Sequence, residues 1–272
     1  MKSRIFCCSF LLVALSICGA AVRHAEASEP NTVRIILVGD STMATRTGYG
    51  DALCQLFQPS VTCINMARGG RSSASFRVEG LWDQMMSVLR TGGQYRASYV
   101  LIQFGHNDQP GKPGRSTDLA TEFPVNIARY VDEVKSLGAI PVLVTPLTRR
   151  IFHDGVLKND LTPWADATRL IAREKQVPLL DLNTKSAAAV SAMGTTEADT
   201  LAEEPPPKLS TQTPAKEQND AKAEPAIAVK SRFDYTHLGT KGASYFAKMI
   251  AQDLVQVVPS LAEHIKPVKP TP

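Results

Sequence analysis

VRIILVGDST, positions 33–42, is the stretch that decides the fold. Apolar residues fill all but one place from 33 to 38, which suits a parallel strand covered on both faces, and the run breaks at Gly39 into small polar residues. Four further runs repeat the pattern: 61–65 (VTCIN), 98–104 (SYVLIQF), 139–145 (AIPVLVT) and 177–182 (VPLLDL). Between them lie helix-like segments near 50–58, 78–90, 118–137 and 162–176, with another at 239–258 after the last. Strands alternating with amphipathic stretches of this length predict an α/β domain, a three-layer α/β/α sandwich around a five-stranded parallel sheet.

Outward from this core the composition changes. The 272 residues are 43% hydrophobic, 21% charged and 6% aromatic, which excludes disorder throughout. Lys plus Arg number 30 against 26 for Asp plus Glu; with no basic run and no interleaved aromatic platform, the chain gives little electrostatic reason to bind nucleic acid. Lys2 and Arg4 precede an apolar stretch at 5–17, and Ala25-Glu26-Ala27 fits a small-x-small cleavage site. Residues 1–27 therefore read as an export signal peptide, with the mature chain starting at Ser28, periplasmic or extracellular, and no membrane span left after cleavage. Lipid attachment at Cys18 is disfavoured by the bulk of Ile17 before it. Cys7, Cys8 and Cys18 leave with the signal; Cys54 and Cys63 either pair or sit as small buried thiols beside a strand. From 194 to 230 the sequence turns to Ala, Glu, Thr, Lys and Pro, with Pro205-Pro206-Pro207, and is expected to be a disordered or loosely extended insertion. The tail 259–272 is likewise expected not to pack, leaving a domain at 28–258.

In an open parallel sheet, ligands bind beyond the carboxyl ends of the strands. After the first strand comes Gly39-Asp40-Ser41-Thr42; after the second, Gly69-Gly70-Arg71-Ser72-Ser73; after the third, Gly105-His106-Asn107-Asp108. Asp234-Tyr235-Thr236-His237 precedes the final helix. Each block has a bland reading, since Ser caps turns, Gly makes them and Asn favours them. Their joint occurrence at one sheet edge tips the balance. Ser41 is placed to be a nucleophile, His237 to be its base, and Asp234 to fix the imidazole tautomer. The N–H groups of Ser41 and Gly70 and the amide of Asn107 are candidate oxyanion donors. Asp40 is expected to hold the Ser41 turn, with His106 and Asp108 bracing the loop.

These four blocks, in this order, resemble the sequence blocks of the SGNH hydrolase (GDSL-type esterase) superfamily. Their wording is similar to its rhamnogalacturonan acetylesterase branch, and the likeness covers 33–258 apart from the insertion. The resemblance implies a flavodoxin-like sandwich, a catalytic set of Ser41, Asp234 and His237, an oxyanion hole of Ser41, Gly70 and Asn107, no cofactor and no metal. Its substrate would be an acetylated polysaccharide or oligosaccharide, foremost pectic rhamnogalacturonan. Two features depart from the branch: the insertion directly before the Asp-His block, and Leu238 where a bulkier aromatic is common. Arg71 and Arg149, with Arg150, are candidate contacts to an acidic polymer.

Other readings have to be weighed. A lipase-like or aryl esterase would use the same residues, because the motifs do not measure an acyl pocket. A non-catalytic glycan-binding protein is opposed by the intact Ser41, Asn107, Asp234 and His237. A nucleotide-binding flavodoxin-like protein is suggested only by TRTGYGD at 45–51, and no Gly-x-Gly-x-x-Gly follows the first strand.

Overall fold

The computed structural model of the chain describes residues 32–91, 93–204 and 233–267. Residues 1–27, expected to be a signal peptide, and positions 205–230 of the expected insertion lie outside the described residues. Strands β1 (Val33–Gly39), β2 (Val61–Asn65), β3 (Ala97–Gln103), β4 (Ile140–Val144) and β7 (Leu179–Leu180) form one parallel sheet in the order β2-β1-β3-β4-β7. A short antiparallel hairpin, β5 (Phe152–His153) and β6 (Val156–Leu157), lies outside it. Seven α-helices are described: α1 (Gly50–Cys54), α2 (Ser75–Val78), α3 (Leu81–Arg90), α4 (Phe123–Ser136), α5 (Thr162–Glu174), α6 (Leu182–Asp199) and α7 (Thr240–Val257).

The period of two along β1 builds both layers. Val33, Ile35 and Leu37 face a core shared with Leu53 of α1, Val190 of α6, and Phe246, Ile250 and Leu254 of α7. Ile36 and Val38 face the opposite core, with Trp82 and Met85 of α3, Ile127 and Val131 of α4, and Ile171 of α5. Arg34 is the exception on that second face. Although fully buried, it spends its guanidinium on the α3 C-terminus, donating to the carbonyls of Val88 (2.7 Å) and Leu89 (2.8 Å), with Nε on Ser98 Oγ (3.1 Å). A cation there satisfies orphan carbonyls and meets the negative end of the helix dipole.

Several boundaries differ from the sequence expectation. Helix α4 starts at Phe123 rather than near 118, because Asp118 Oδ1 accepts the N–H groups of Ala120 and Thr121 and folds a separate turn. At the edge of the sheet, β2 is half-buried instead of fully covered. Positions 194–204 do not belong to a loose insertion: α6 runs to Asp199, Leu201 is fully buried, and Ala202 bridges to Leu238. Nor is the tail free from 259, since a 3₁₀ turn spans Pro259–His264, Leu261 and Ile265 are buried, and Ile265 pairs with Phe57. Cys54 and Cys63 form a disulfide joining α1 to β2. Among the described residues no helix is long and apolar enough to cross a membrane.

Candidate active site

Strand β2 lies to one side of β1 and β3 to the other, so the chain reverses direction across the sheet between β1 and β3. Ligand crevices of doubly wound sheets open at such a switch. Ser41 follows β1 there and Asn107 follows β3, whose last residues, Gly39 and Gln103, are in register.

The turn carrying Ser41 rests on a buried polar network. Asp40 is completely buried; its Oδ1 accepts the Thr42 N–H (2.9 Å) and Thr42 Oγ1 (2.8 Å), while Oδ2 lies 3.2 Å from His106 Nδ1. Gln103 Nε2 donates to Thr42 Oγ1 (2.6 Å), and Tyr49 donates its hydroxyl to Gln103 Oε1 (2.5 Å). Burial alone would raise the Asp40 pKa, but the His106 contact and the Thr42 bonds outweigh it and hold the carboxyl below its ordinary value. Because His106 directly precedes Asn107, the Asp40–His106 pair ties the serine turn to the loop bearing the amide donor.

The TRTGYGD stretch is also explained by this turn. A Cβ on Gly50 would lie 2.2 Å from the Met43 carbonyl oxygen, so glycine there serves a close backbone approach behind Ser41. Thr47 Oγ1 then donates to the Ser41 carbonyl (2.8 Å), and the Thr47 carbonyl accepts the Leu238 N–H (2.9 Å), linking the serine turn to the histidine loop.

On the β2 side, a Cβ built on Gly69 would stand 3.7 Å from Ser41 Cβ, which puts the Gly69-Gly70 turn against the serine. Gly70 has φ +78°, a conformation glycine adopts without strain. Asn107 Nδ2 donates to the Arg71 carbonyl (3.1 Å), and Asp108 accepts from Ser73 N–H (3.0 Å), Ser73 Oγ (2.6 Å) and Thr117 Oγ1 (3.0 Å). Asp108 thus staples the loop after β2 to the loop after β3. Burial raises its pKa to about 6 in spite of those bonds.

On the loop that Thr47 ties to the serine turn, Asp234 and His237 are joined within one turn. Asp234 Oδ2 lies 2.6 Å from His237 Nδ1, and Oδ1 accepts the N–H groups of Thr236 (2.8 Å) and His237 (2.9 Å). Burial opposes the charge on Asp234, yet these bonds keep its pKa below the ordinary value. With Nδ1–H held by the carboxylate, a neutral imidazole presents Nε2 as the acceptor. Ser41 Oγ and His237 Nε2 make no hydrogen bond in this structure; such bonds commonly tighten only around substrate.

The three arginines marked by the sequence have other tasks. Arg71 is bound to Glu79 (2.7 Å) and to the Gly69 carbonyl (2.7 Å). Arg149 is buried against Asp160 (2.7 Å) and Gln109 (2.8 Å), so it is not a free substrate contact. Arg150, buried almost completely, donates Nη2 to the carbonyls of Asp234 (2.9 Å) and His237 (2.8 Å), and its backbone N–H to that of Tyr235 (2.9 Å). Burial lowers its pKa to about 10, against the pull of Asp234 and Asp199. It is the clamp of the Asp-His loop, a role for which the sequence carries no signal, because all of its partners are main-chain oxygens. The sequence reading also missed Glu203, whose carboxylate forms with Asp234 and His237 a group of donors within 4.8 Å of one another, close enough to share an ion.

Serine, glycine and asparagine at adjacent strand ends, with an Asp-His pair on a loop tied to the serine turn through Thr47, form the residue set of an ester hydrolase. The model of the GDSL-like lipase/acylhydrolase family matches residues 35–250, and the chain belongs to that family of carboxylic ester hydrolases. Within it, the chain is 31% identical over 241 residues to a rhamnogalacturonan acetylesterase of Bacillus subtilis (strain 168), covering 86% of this chain and 94% of the relative. A rhamnogalacturonan acetylesterase of Emericella nidulans is 45% identical over 75 residues, 27% of this chain and 28% of the relative. Among solved structures, a Bacillus subtilis protein superposes with a TM-score of 0.61 at 22% identity, over 85% of this chain and 58% of that one. A variant of an acetyl xylan esterase from Geobacillus stearothermophilus gives 0.55 at 15% identity, over 81% and 94%. These structures share the fold, and the sequence relatives place the chain in the rhamnogalacturonan acetylesterase-like branch.

Proposed function

We propose that the chain is an exported serine esterase that removes O-acetyl groups from a polysaccharide, foremost pectic rhamnogalacturonan. The observation that carries the mechanism is the Asp234–His237 contact of 2.6 Å on a loop that Thr47 ties to the Ser41 turn. His237 Nε2 accepts the Ser41 proton as Oγ attacks the acetyl carbonyl carbon. The oxygen of the tetrahedral intermediate is met by the N–H groups of Ser41 and Gly70 and by the Asn107 amide, which stabilise the charge that develops there. Collapse breaks the bond to the sugar oxygen, which leaves as an alcohol with the proton from His237. Water then attacks the acetyl-serine with His237 again as base, releasing acetate and restoring Ser41. The chemistry requires no cofactor. The named relatives support the polymer, and the leader-like composition of 1–27 supports export.

The test is acetate release by the mature protein from acetylated rhamnogalacturonan, compared with acetylated xylan and acid release from a long-chain ester. The pectic substrate is expected to give the highest kcat/KM, and a preference for the long-chain ester would replace this reading with a lipase. Ser41→Ala is expected to abolish hydrolysis with the fold intact, because it removes the attacking oxygen and little else. Asp234→Asn is expected to lower kcat on the order of 10⁴-fold, as loss of the tautomer-fixing carboxylate does in other triads. Wild-type turnover in either variant would remove that residue from the mechanism.

A further inference from the structure

Among the described residues, four cations on loops next to the Ser41 turn, Arg46, Arg68, Lys112 and Arg115, form no ion pair with an acid. Toward β2, a cavity of about 580 Å³ is lined by Arg46 and Arg68, together with Thr47 and Gly69. Thr47 is the residue that bonds the Ser41 carbonyl, and Gly69 is the one packed against Ser41 Cβ, so the cavity wall adjoins the serine on two sides. Arg46 and Arg68 are both exposed, and Arg46 has φ +73°, an uncommon conformation for a side chain of that size.

Toward β3 and β4, the second pair stands on a stapled loop. Ser116 Oγ accepts the Lys112 N–H (2.9 Å) and donates to the Gln109 carbonyl (2.8 Å), while the Arg115 N–H donates to the Lys112 carbonyl (3.0 Å). Thr117 N–H on the Asp108 carbonyl (3.0 Å) fixes the loop to the strand end that bears Asn107. Arg115 Nη1 lies 3.5 Å from the Gly70 carbonyl, next to the expected oxyanion donor. Burial and then the charges of Arg149 and Arg115 lower the Lys112 pKa, against a smaller opposing pull from Asp40 and Asp160. Arg149 already has Asp160, whereas Lys112 and Arg115 have no acid of their own. Like charges gathered this way repel, and an arriving anion relieves the repulsion.

We propose that Arg46 and Arg68, and Lys112 and Arg115 on the loop after β3, bind the uronate carboxylates of an acidic glycan whose acetyl group is presented to the serine. The inference rests on the polysaccharide esterase reading and adds the chemistry by which that site selects its polymer. Guanidinium and ammonium groups meet carboxylates by charge-assisted hydrogen bonds, and two sets carried on different loops fit a chain whose acids recur along its length. A neutral acetylated glycan would gain nothing from them.

The test uses an acetylated rhamnogalacturonan oligosaccharide and the same oligosaccharide with its uronates reduced to primary alcohols. For the wild type, KM is expected to be about 5- to 10-fold lower on the acidic form, the scale of two to three partly exposed ion pairs. The advantage should shrink in about 0.5 M salt through screening. The double variants Arg46→Gln with Arg68→Gln, and Lys112→Gln with Arg115→Gln, should each raise KM on the acidic form and leave KM on the reduced form in place. Arg68→Lys and Arg115→Lys should retain much of the preference, showing that charge is what is read. Equal KM values for both substrates in the wild type would overturn the inference while leaving the esterase reading standing, and so would variants that raise both alike. Hydrolysis of a small aryl acetate with no acetate released from either oligosaccharide would overturn the glycan reading and this inference with it.

Discussion

Asp108 shows how a single carboxyl can serve the site and cost stability. It joins the loop of Gly70 to the loop of Asn107 through Ser73 and Thr117, but burial raises its pKa from 3.8 to about 6. A carboxyl with a raised folded pKa favours the native state when protonated, so its contribution is greatest below the unfolded value and is lost as pH climbs through about 6. At about 1.4 kcal/mol for each tenfold in proton affinity, the loss between pH 4 and pH 7 amounts to about 2 kcal/mol. Asp108→Asn keeps an acceptor for Ser73 and Thr117 and removes the titration. Urea unfolding at pH 4.5 and pH 7 should show the variant gaining on the wild type as pH rises; a constant difference would mean that Asp108 stays charged throughout. The acids Asp40 and Asp234 act in the opposite sense, because their folded pKa values are depressed and their contribution fades only in stronger acid.

Among the elements, the segment from Asp234 to His237 depends on a residue from a different part of the chain. Arg150 follows the β4 end, and its guanidinium gathers the carbonyls of Asp234 and His237 while its N–H holds Tyr235. Arg150→Met should fold with reduced stability, by about 1–3 kcal/mol for the carbonyls left unsatisfied. It should also lower kcat on the order of 10²-fold, because a displacement near 1 Å at a catalytic group has that effect, with KM changed much less. Arg150→Lys should recover part of the rate. If kcat kept its wild-type value in the Met variant while stability fell, Arg150 would be a packing residue alone. The same element explains what the sequence could and could not disclose. Strand runs such as VRIILV and SYVLIQF were legible because they are short and apolar on both faces, and the four blocks were legible because each follows a strand or precedes a helix. Arg150 was read as a surface contact because an arginine bonded to main-chain oxygens leaves no partner pattern in the sequence. The β5–β6 hairpin went unread for another reason: its strands have two residues each, and its signal is only Asp154-Gly155, both with positive φ as a tight turn demands.

At the scale of the whole molecule, the two chain regions expected to be loose show where composition misleads. Polar and charged residues at 194–204 and the prolines after them hid Leu201, and proline in the tail hid Leu261 and Ile265; one or two well-placed apolar residues are enough to dock a short segment on an existing core. The tail docks where α1 and α7 meet the sheet: Ile265 pairs with Phe57, the Gln58 N–H donates to the His264 carbonyl (2.8 Å), and the Lys266 N–H donates to the Leu56 carbonyl (2.8 Å). Removing residues 259–272 would expose Phe57, Leu254 and Val258 and leave the Leu56 carbonyl and the Gln58 N–H without these partners. Leu261→Ala alone should cost about 2–5 kcal/mol, the range for a buried leucine. The truncation should therefore cost at least as much, seen as a cooperative loss at a lower urea midpoint. The active-site blocks lie at the carboxyl ends of the strands, whereas Ile265 pairs beside the start of β2, so the truncated protein that remains folded should keep its kcat on a small acetyl ester. A truncated chain with an unchanged midpoint would show that the tail rests on the core without stabilising it, and a loss of kcat in the folded fraction would show that α7 transmits the change to His237.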